Sequence, residues 1–274
     1  MEKSESIWQA QVLPLLLTAV TFLCLFGALF LIISTLNRFN PASPILISLR
    51  WPDVIFGITI YLKTSVDFAI FIGNLIKNNQ GYKSRIAVEI GTALGNAVGT
   101  LLILVLWNFF KELTWLLGIM VFLASLVLLK MAQDSLEHAK AASDFSPLAH
   151  AIDRVLRKIN KISDPLLKRI IPHGNFSASA NLSFWPLLLF AFAVPFILGM
   201  DDFAGYVPLF SIINVFGFAT GVFLGHMILN LLLYLSPIRT IKAVSHPAIS
   251  ILGSLVFVGL AIYGFSEVYK ILFT

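Results

Sequence analysis

Long apolar runs separated by short polar loops set the pattern of this chain of 274 residues. Windows of about 20 apolar residues, the length that carries a helix across the hydrocarbon core, recur seven times. They fall near 12–36, 53–76, 86–109, 113–133, 183–210, 212–235 and 248–272. Only the stretch from Asp134 to Asn181 is polar over any distance. In it Arg154, Arg157, Lys158, Lys161, Lys168 and Arg169 are interleaved with Leu and Ile at helical spacing. That pattern predicts an amphipathic helix lying on an anionic membrane surface. A nucleic-acid arm would lack the interleaved apolar residues. The expected fold class is all-α, a polytopic membrane protein of about seven transmembrane helices.

Two of the apolar regions repeat each other. Ser65-Val66-Asp67-Phe68-Ala69 is followed by Gly91-Thr92-Ala93-Leu94-Gly95-Asn96. Met200-Asp201-Asp202-Phe203-Ala204 is followed by Gly221-Val222-Phe223-Leu224-Gly225-His226. Each unit is three helices long, so the second enters the membrane from the opposite face, and two inverted three-helix repeats result. In such folds the substrate site lies near the midplane between the repeats. The domain organisation predicted is an N-terminal helix and loop over 1–50, a first three-helix unit over 51–133, a basic amphipathic linker over 134–181 and a second unit over 182–274.

Composition narrows the class further. Apolar residues make up 58% of the chain and charged residues 12%, half the roughly 25% of soluble domains. With a mean hydropathy of +0.90, a soluble fold with a large core is excluded. The single cysteine, Cys24, excludes an internal disulfide and any multi-thiolate metal site. The apolar run Val12–Ile33 exceeds the roughly 7–15 residues of a signal-peptide core, so the first helix is expected to be retained. Seven crossings put fourteen Lys and Arg in the loops of one side and four on the other. The positive-inside rule then places the N-terminus and linker in the cytoplasm and the C-terminus outside, in a membrane such as the bacterial inner membrane.

An intramembrane Asp costs about 3 kcal/mol or more, so one in each repeat marks a candidate site. Lys63, Asp67 and Asn74 share one face of a continuous second span, and Lys63 and Asp67 are spaced for a buried ion pair. That pair is either a structural staple, or Asp67 is a cation ligand or proton carrier with Lys63 as its tethered counter-charge. In the third span Glu89, Thr92, Asn96 and Thr100 form a polar stripe beside the small-residue stripe Gly91, Gly95 and Gly99. The sixth span repeats the plan with Gly217, Gly221 and Gly225, then His226 and Asn230. Pro195 and Pro208 flank Gly199, Asp201 and Asp202, which predicts a broken fifth helix with freed carbonyls beside carboxylates. Neighbouring aspartates point about 100° apart, and Asp202 is the one aligned with Asp67.

Carboxylates, amides, hydroxyls and one imidazole without thiolate suit an oxygen-preferring divalent cation, Mn²⁺ before Zn²⁺ or Cd²⁺. The expected metal set is Asp67, Asp202, Asp201, Asn96 and His226. Lys63, Asn74, Glu89, Thr92 and Asn230 are expected along the pathway. No phosphate-binding loop, zinc-protease helix or nucleophile elbow occurs, so the chain reads as a non-enzyme without a resident cofactor or a nucleic-acid partner. The cation is cargo, and protons are a candidate coupling ion.

At these residues the chain resembles the lysine-exporter (LysE) superfamily, including its tellurite-resistance (TerC), cadmium-resistance (CadD) and manganese-efflux branches. The resemblance covers spans two to seven and implies two three-helix units, each with an Asp in its first helix. It implies metal efflux with Asp67 and Asp202 as paired ligands and Asn96 and His226 nearby. Phe68 and Phe203 stand where two of those branches have Asn after the Asp. Export of an amino acid or other small solute is the alternative the superfamily supports. A non-transporting membrane scaffold is the third.

Overall fold

The computed structural model describes residues 12–140, 146–170, 181–199, 205–211 and 213–273, which are helical with short connections. In chain order the helices are α1 (Leu13–Phe39), α2 (Trp51–Thr64), α3 (Val66–Asn78), α4 (Tyr82–Phe110), α5 (Thr114–Asp134), α6 (Glu137–Lys140) and α7 (Ser146–Ile170). Then come α8 (Phe184–Leu198), a 3-10 turn (Val207–Ser211), α9 (Val215–Leu235), α10 (Pro237–Val244) and α11 (Pro247–Phe273). Among the described residues five helices, α1, α4, α5, α9 and α11, are each long and apolar enough to cross a bilayer. This is the architecture of a polytopic membrane protein.

The remaining two expected spans are not single long helices. The second divides into α2 and α3, which meet at Ser65 with a bend of 69°. Proline is absent from the break, which falls at Thr64, Ser65 and Val66. There the Thr64 hydroxyl donates to the Tyr61 carbonyl, a local bond that competes with the helical ladder. The bend also ends the continuous face on which Lys63, Asp67 and Asn74 were expected to line up. The fifth expected span begins as α8, which ends with Gly199 as its C-cap, four residues after Pro195. Residues 200–204 lie outside the described residues, and the 3-10 turn follows them.

Helix starts follow local chemistry. Pro52 occupies the first turn of α2, where its missing N–H costs nothing. Asp53 in the same turn pairs with Arg50 at 2.6 Å. Asn214 caps α9 by accepting from the Gly217 N–H at 2.8 Å, while its amide donates to the Leu46 carbonyl. Gly81, at φ 99°, supplies the left-handed residue that turns the chain into α4.

Packing crosses between the two halves of the sequence. α2 lies along α9, α4 along α8, and α5 along α11. Helix one of each half thus packs on helix two of the other, and the third helices pack on each other. The glycine stripes make two of these contacts. A Cβ on Gly221 would come 3.0 Å from the Gly57 Cα and closer still to the Val54 carbonyl. A Cβ on Gly91 would meet the Leu188 carbonyl at 2.6 Å, and one on Gly95 would run into the Phe192 carbonyl. Small residues let the backbones approach where lipid offers no hydrophobic drive to association. α1 covers the assembly from the side of α9 and α4.

The linker helix expected from sequence is present as α7, and it docks on the end of α5. Asn160 donates to the Leu129 carbonyl and to Gln133, and Asp164 lies 3.8 Å from Lys130. The side chains of Lys168 and Arg169 lie outside the described residues.

Candidate functional site

The buried polar residues of α4 and α9 converge. Glu89, Thr92 and Thr100 on α4 are fully enclosed, Asn96 nearly so, and His226 and Asn230 on α9 are equally buried. The stripe read from sequence is therefore an interior feature and not a lipid-facing one.

A chain of hydrogen bonds joins Thr92, Asn230 and His226. His226 Nδ1 lies 2.6 Å from the Tyr61 hydroxyl of α2, and its Nε2 lies 3.1 Å from the Asn230 amide nitrogen. That amide also donates to the Thr92 hydroxyl at 3.1 Å. Thr92 in turn donates to the Val88 carbonyl. Both imidazole nitrogens have a hydrogen-bonding neighbour, so a metal would reach either only by displacing Tyr61 or Asn230. Asn230 and Tyr61 hold the ring, and Phe68 packs beside it with centroids 5.7 Å apart.

Glu89 closes the chain on the other side. Thr18 of α1 donates to its Oε1 at 3.3 Å, while its Oε2 has no hydrogen-bond partner. Tyr234, whose hydroxyl donates to the Arg85 carbonyl at 2.6 Å, stands nearby on α9. Asn230 Oδ1, Asn96 Nδ2 and Thr100 Oγ1 are also buried and unpartnered. Unsatisfied buried groups each cost about 1–3 kcal/mol, so these four on α4 and α9 are the positions at which a ligand, water or proton would be stabilised.

The other expected site residues are placed differently. Lys63 is half-buried and donates to the Ile249 carbonyl of α11. Asn74 is exposed, away from this interior. Asp67 sits at the start of α3, its side chain outside the described residues, and Asp201 and Asp202 lie outside them altogether. Among the described residues no three His, Cys, Asp or Glu come together as a metal site. Tyr61, Tyr234 and Thr18 are network members that sequence reading passed over. A tyrosine in mid-span was the available signal, since a buried phenol needs a partner.

Comparison with protein-family models, with curated proteins and with solved structures gives no match. The functional reading therefore rests on the residues and their geometry.

Proposed function

We propose that this protein is a membrane transporter built from two inverted three-helix units, with an extra N-terminal helix, that passes a divalent cation by alternating access. One observation carries the reading. Phe68, from the Asp-Phe-Ala of the first unit, packs on His226, from the Gly-x-x-Leu-Gly-His of the second. Gly91 and Gly95 of the first unit pack on α8 as Gly221 and Gly225 of the second pack on α2. This exchanged pairing of helices supports a reading with a twofold axis in the membrane plane. The helix preceding each aspartate ends two or three residues before it, at Ser65 and Gly199. Broken helices at mid-depth expose carbonyls and helix ends to cargo.

In this reading Asp67 and Asp202 supply the charge that replaces a cation's lost hydration, and Asn96 supplies an amide beside them. His226, engaged on both nitrogens, is a positioning residue that fixes α2 and α3 against α9. Glu89 and the open Asn230 oxygen line the route and are the groups available to a coupling proton. The basic loops set the N-terminus and linker in the cytoplasm and the C-terminus outside.

Flux into proteoliposomes tests the cargo. The expected result is uptake of Mn²⁺, Cd²⁺, Zn²⁺ or Co²⁺ above empty vesicles, with no uptake of basic or neutral amino acids. Amino-acid flux without metal flux would replace cation export with solute export. No flux of either kind would favour the scaffold.

A further inference from the structure

Helix α7 uses only one of its two apolar faces. Ala149, Leu156 and Leu167 are buried against the end of α5, together with Asp153, Asn160 and Ser163. A second set, Leu148, Val155, Ile159, Ile162 and Leu166, follows at spacings of seven, four, three and four and stays exposed, Ile162 at 84%. At 100° per residue this stripe lies about 110° around the helix from the docked face. Among the described residues, the ion pairs of α7 fall elsewhere on the helix. Asp153 is bonded by Lys140 and Arg157, and Asp164 lies beside Lys130. Arg154, Lys158 and Lys161, which flank the stripe on its free side, are exposed and join no described ion pair.

We infer that this second face is a docking surface for the anionic lipids of the protein's own membrane. Position and charge both select that occupant. Asn160 grips α5 at Leu129 and Gln133, within about a turn and a half of the helix end at Asp134, so α7 is fixed at the depth where a span leaves the bilayer. An amphipathic helix held there buries an apolar stripe among acyl chains and sets its basic flank against headgroups. A basic side chain near an anionic surface contributes about fivefold to such partitioning. The inference goes beyond the transport reading and does not depend on which solute is carried.

The test uses the full chain in vesicles, with Cys24→Ser as background and a nitroxide attached through Ile162→Cys or Lys161→Cys. Accessibility to oxygen, which partitions into lipid, is compared with accessibility to a water-soluble nickel chelate. In vesicles containing phosphatidylglycerol the label at 162 should be oxygen-accessible and shielded from nickel, and the label at 161 the reverse. Adding Arg154→Glu, Lys158→Glu and Lys161→Glu should bring the label at 162 into reach of nickel, as should pure phosphatidylcholine in part. Equal nickel access at 162 and 161 in anionic vesicles would overturn the inference. So would spin–spin broadening between labels at 162 that persists in either lipid, because the stripe would then be covered by a second copy of the chain.

Discussion

Gly221→Ala is the sharpest probe of how the two halves are joined. The new methyl would run into the Val54 carbonyl, 2.9 Å from its carbon and 3.0 Å from the Gly57 Cα. All three neighbours belong to the backbone of α2 and cannot swing aside as a flexible side chain would. Overpacking of this kind costs about 1–3 kcal/mol, against a gain of about 0.5–1 kcal/mol for replacing Gly by Ala within a helix. A net loss of about 1–2 kcal/mol follows. Gly259→Ala is the matched control. It lies within α11, exposed, and a Cβ there meets nothing within 4 Å. Only the propensity gain applies, so this variant should be stabilised by about 0.5–1 kcal/mol. Thermal unfolding in detergent should therefore separate the two variants by on the order of 5–10 °C, with the parent between them. Equal or reversed stabilities would refute the close α2–α9 crossing.

Tyr61→Phe removes the hydroxyl partner of His226 Nδ1 and should lower stability by about 1 kcal/mol in detergent unfolding, and Asn230→Leu, which breaks two bonds, should cost more. Burial works to raise the Asp153 carboxyl, but hydrogen bonds and charge from Arg157 and Lys140 outweigh it and hold the group below its ordinary value. A depressed carboxylate stabilises above the ordinary value, about pH 4, and loses that contribution as pH falls toward the lower folded one. Proteolysis of the α7 region should therefore accelerate below about pH 4, and Asp153→Asn should remove the pH step. Reporter fusions at Thr274 and within 146–170 should report opposite sides of the membrane; matching sides would break the inverted-repeat topology.

The sequence carried the long helices well because hydrocarbon demands an uninterrupted apolar window, and α1, α4, α5, α9 and α11 satisfy it directly. The break at Ser65 was hidden, since Thr64, Ser65 and Val66 include neither proline nor glycine and read as a continuous span. Pro195 and Pro208 predicted an interrupted fifth span, and α8 runs through Pro195 to end at Leu198 with Gly199 as its C-cap. The stripe Glu89–Thr92–Asn96–Thr100 was readable because its spacing of three and four survives burial. Its partners across the fold were not, because Thr18 reaches Glu89, and Tyr61 reaches His226, only through helix crossings that no local spacing encodes. The same limit applies to His226, whose neighbours Tyr61 and Asn230 no local spacing reveals.

The paired aspartates are the central claim, and charge-neutral substitution tests it most directly. Asp67→Asn and Asp202→Asn keep shape and one oxygen while removing the charge that compensates a divalent cation's lost hydration. Cation flux in proteoliposomes, normalised to folded protein, should fall to the level of empty vesicles in each variant, with insertion and stability retained. Full flux in both variants would contradict a shared carboxylate site and the transport mechanism built on it.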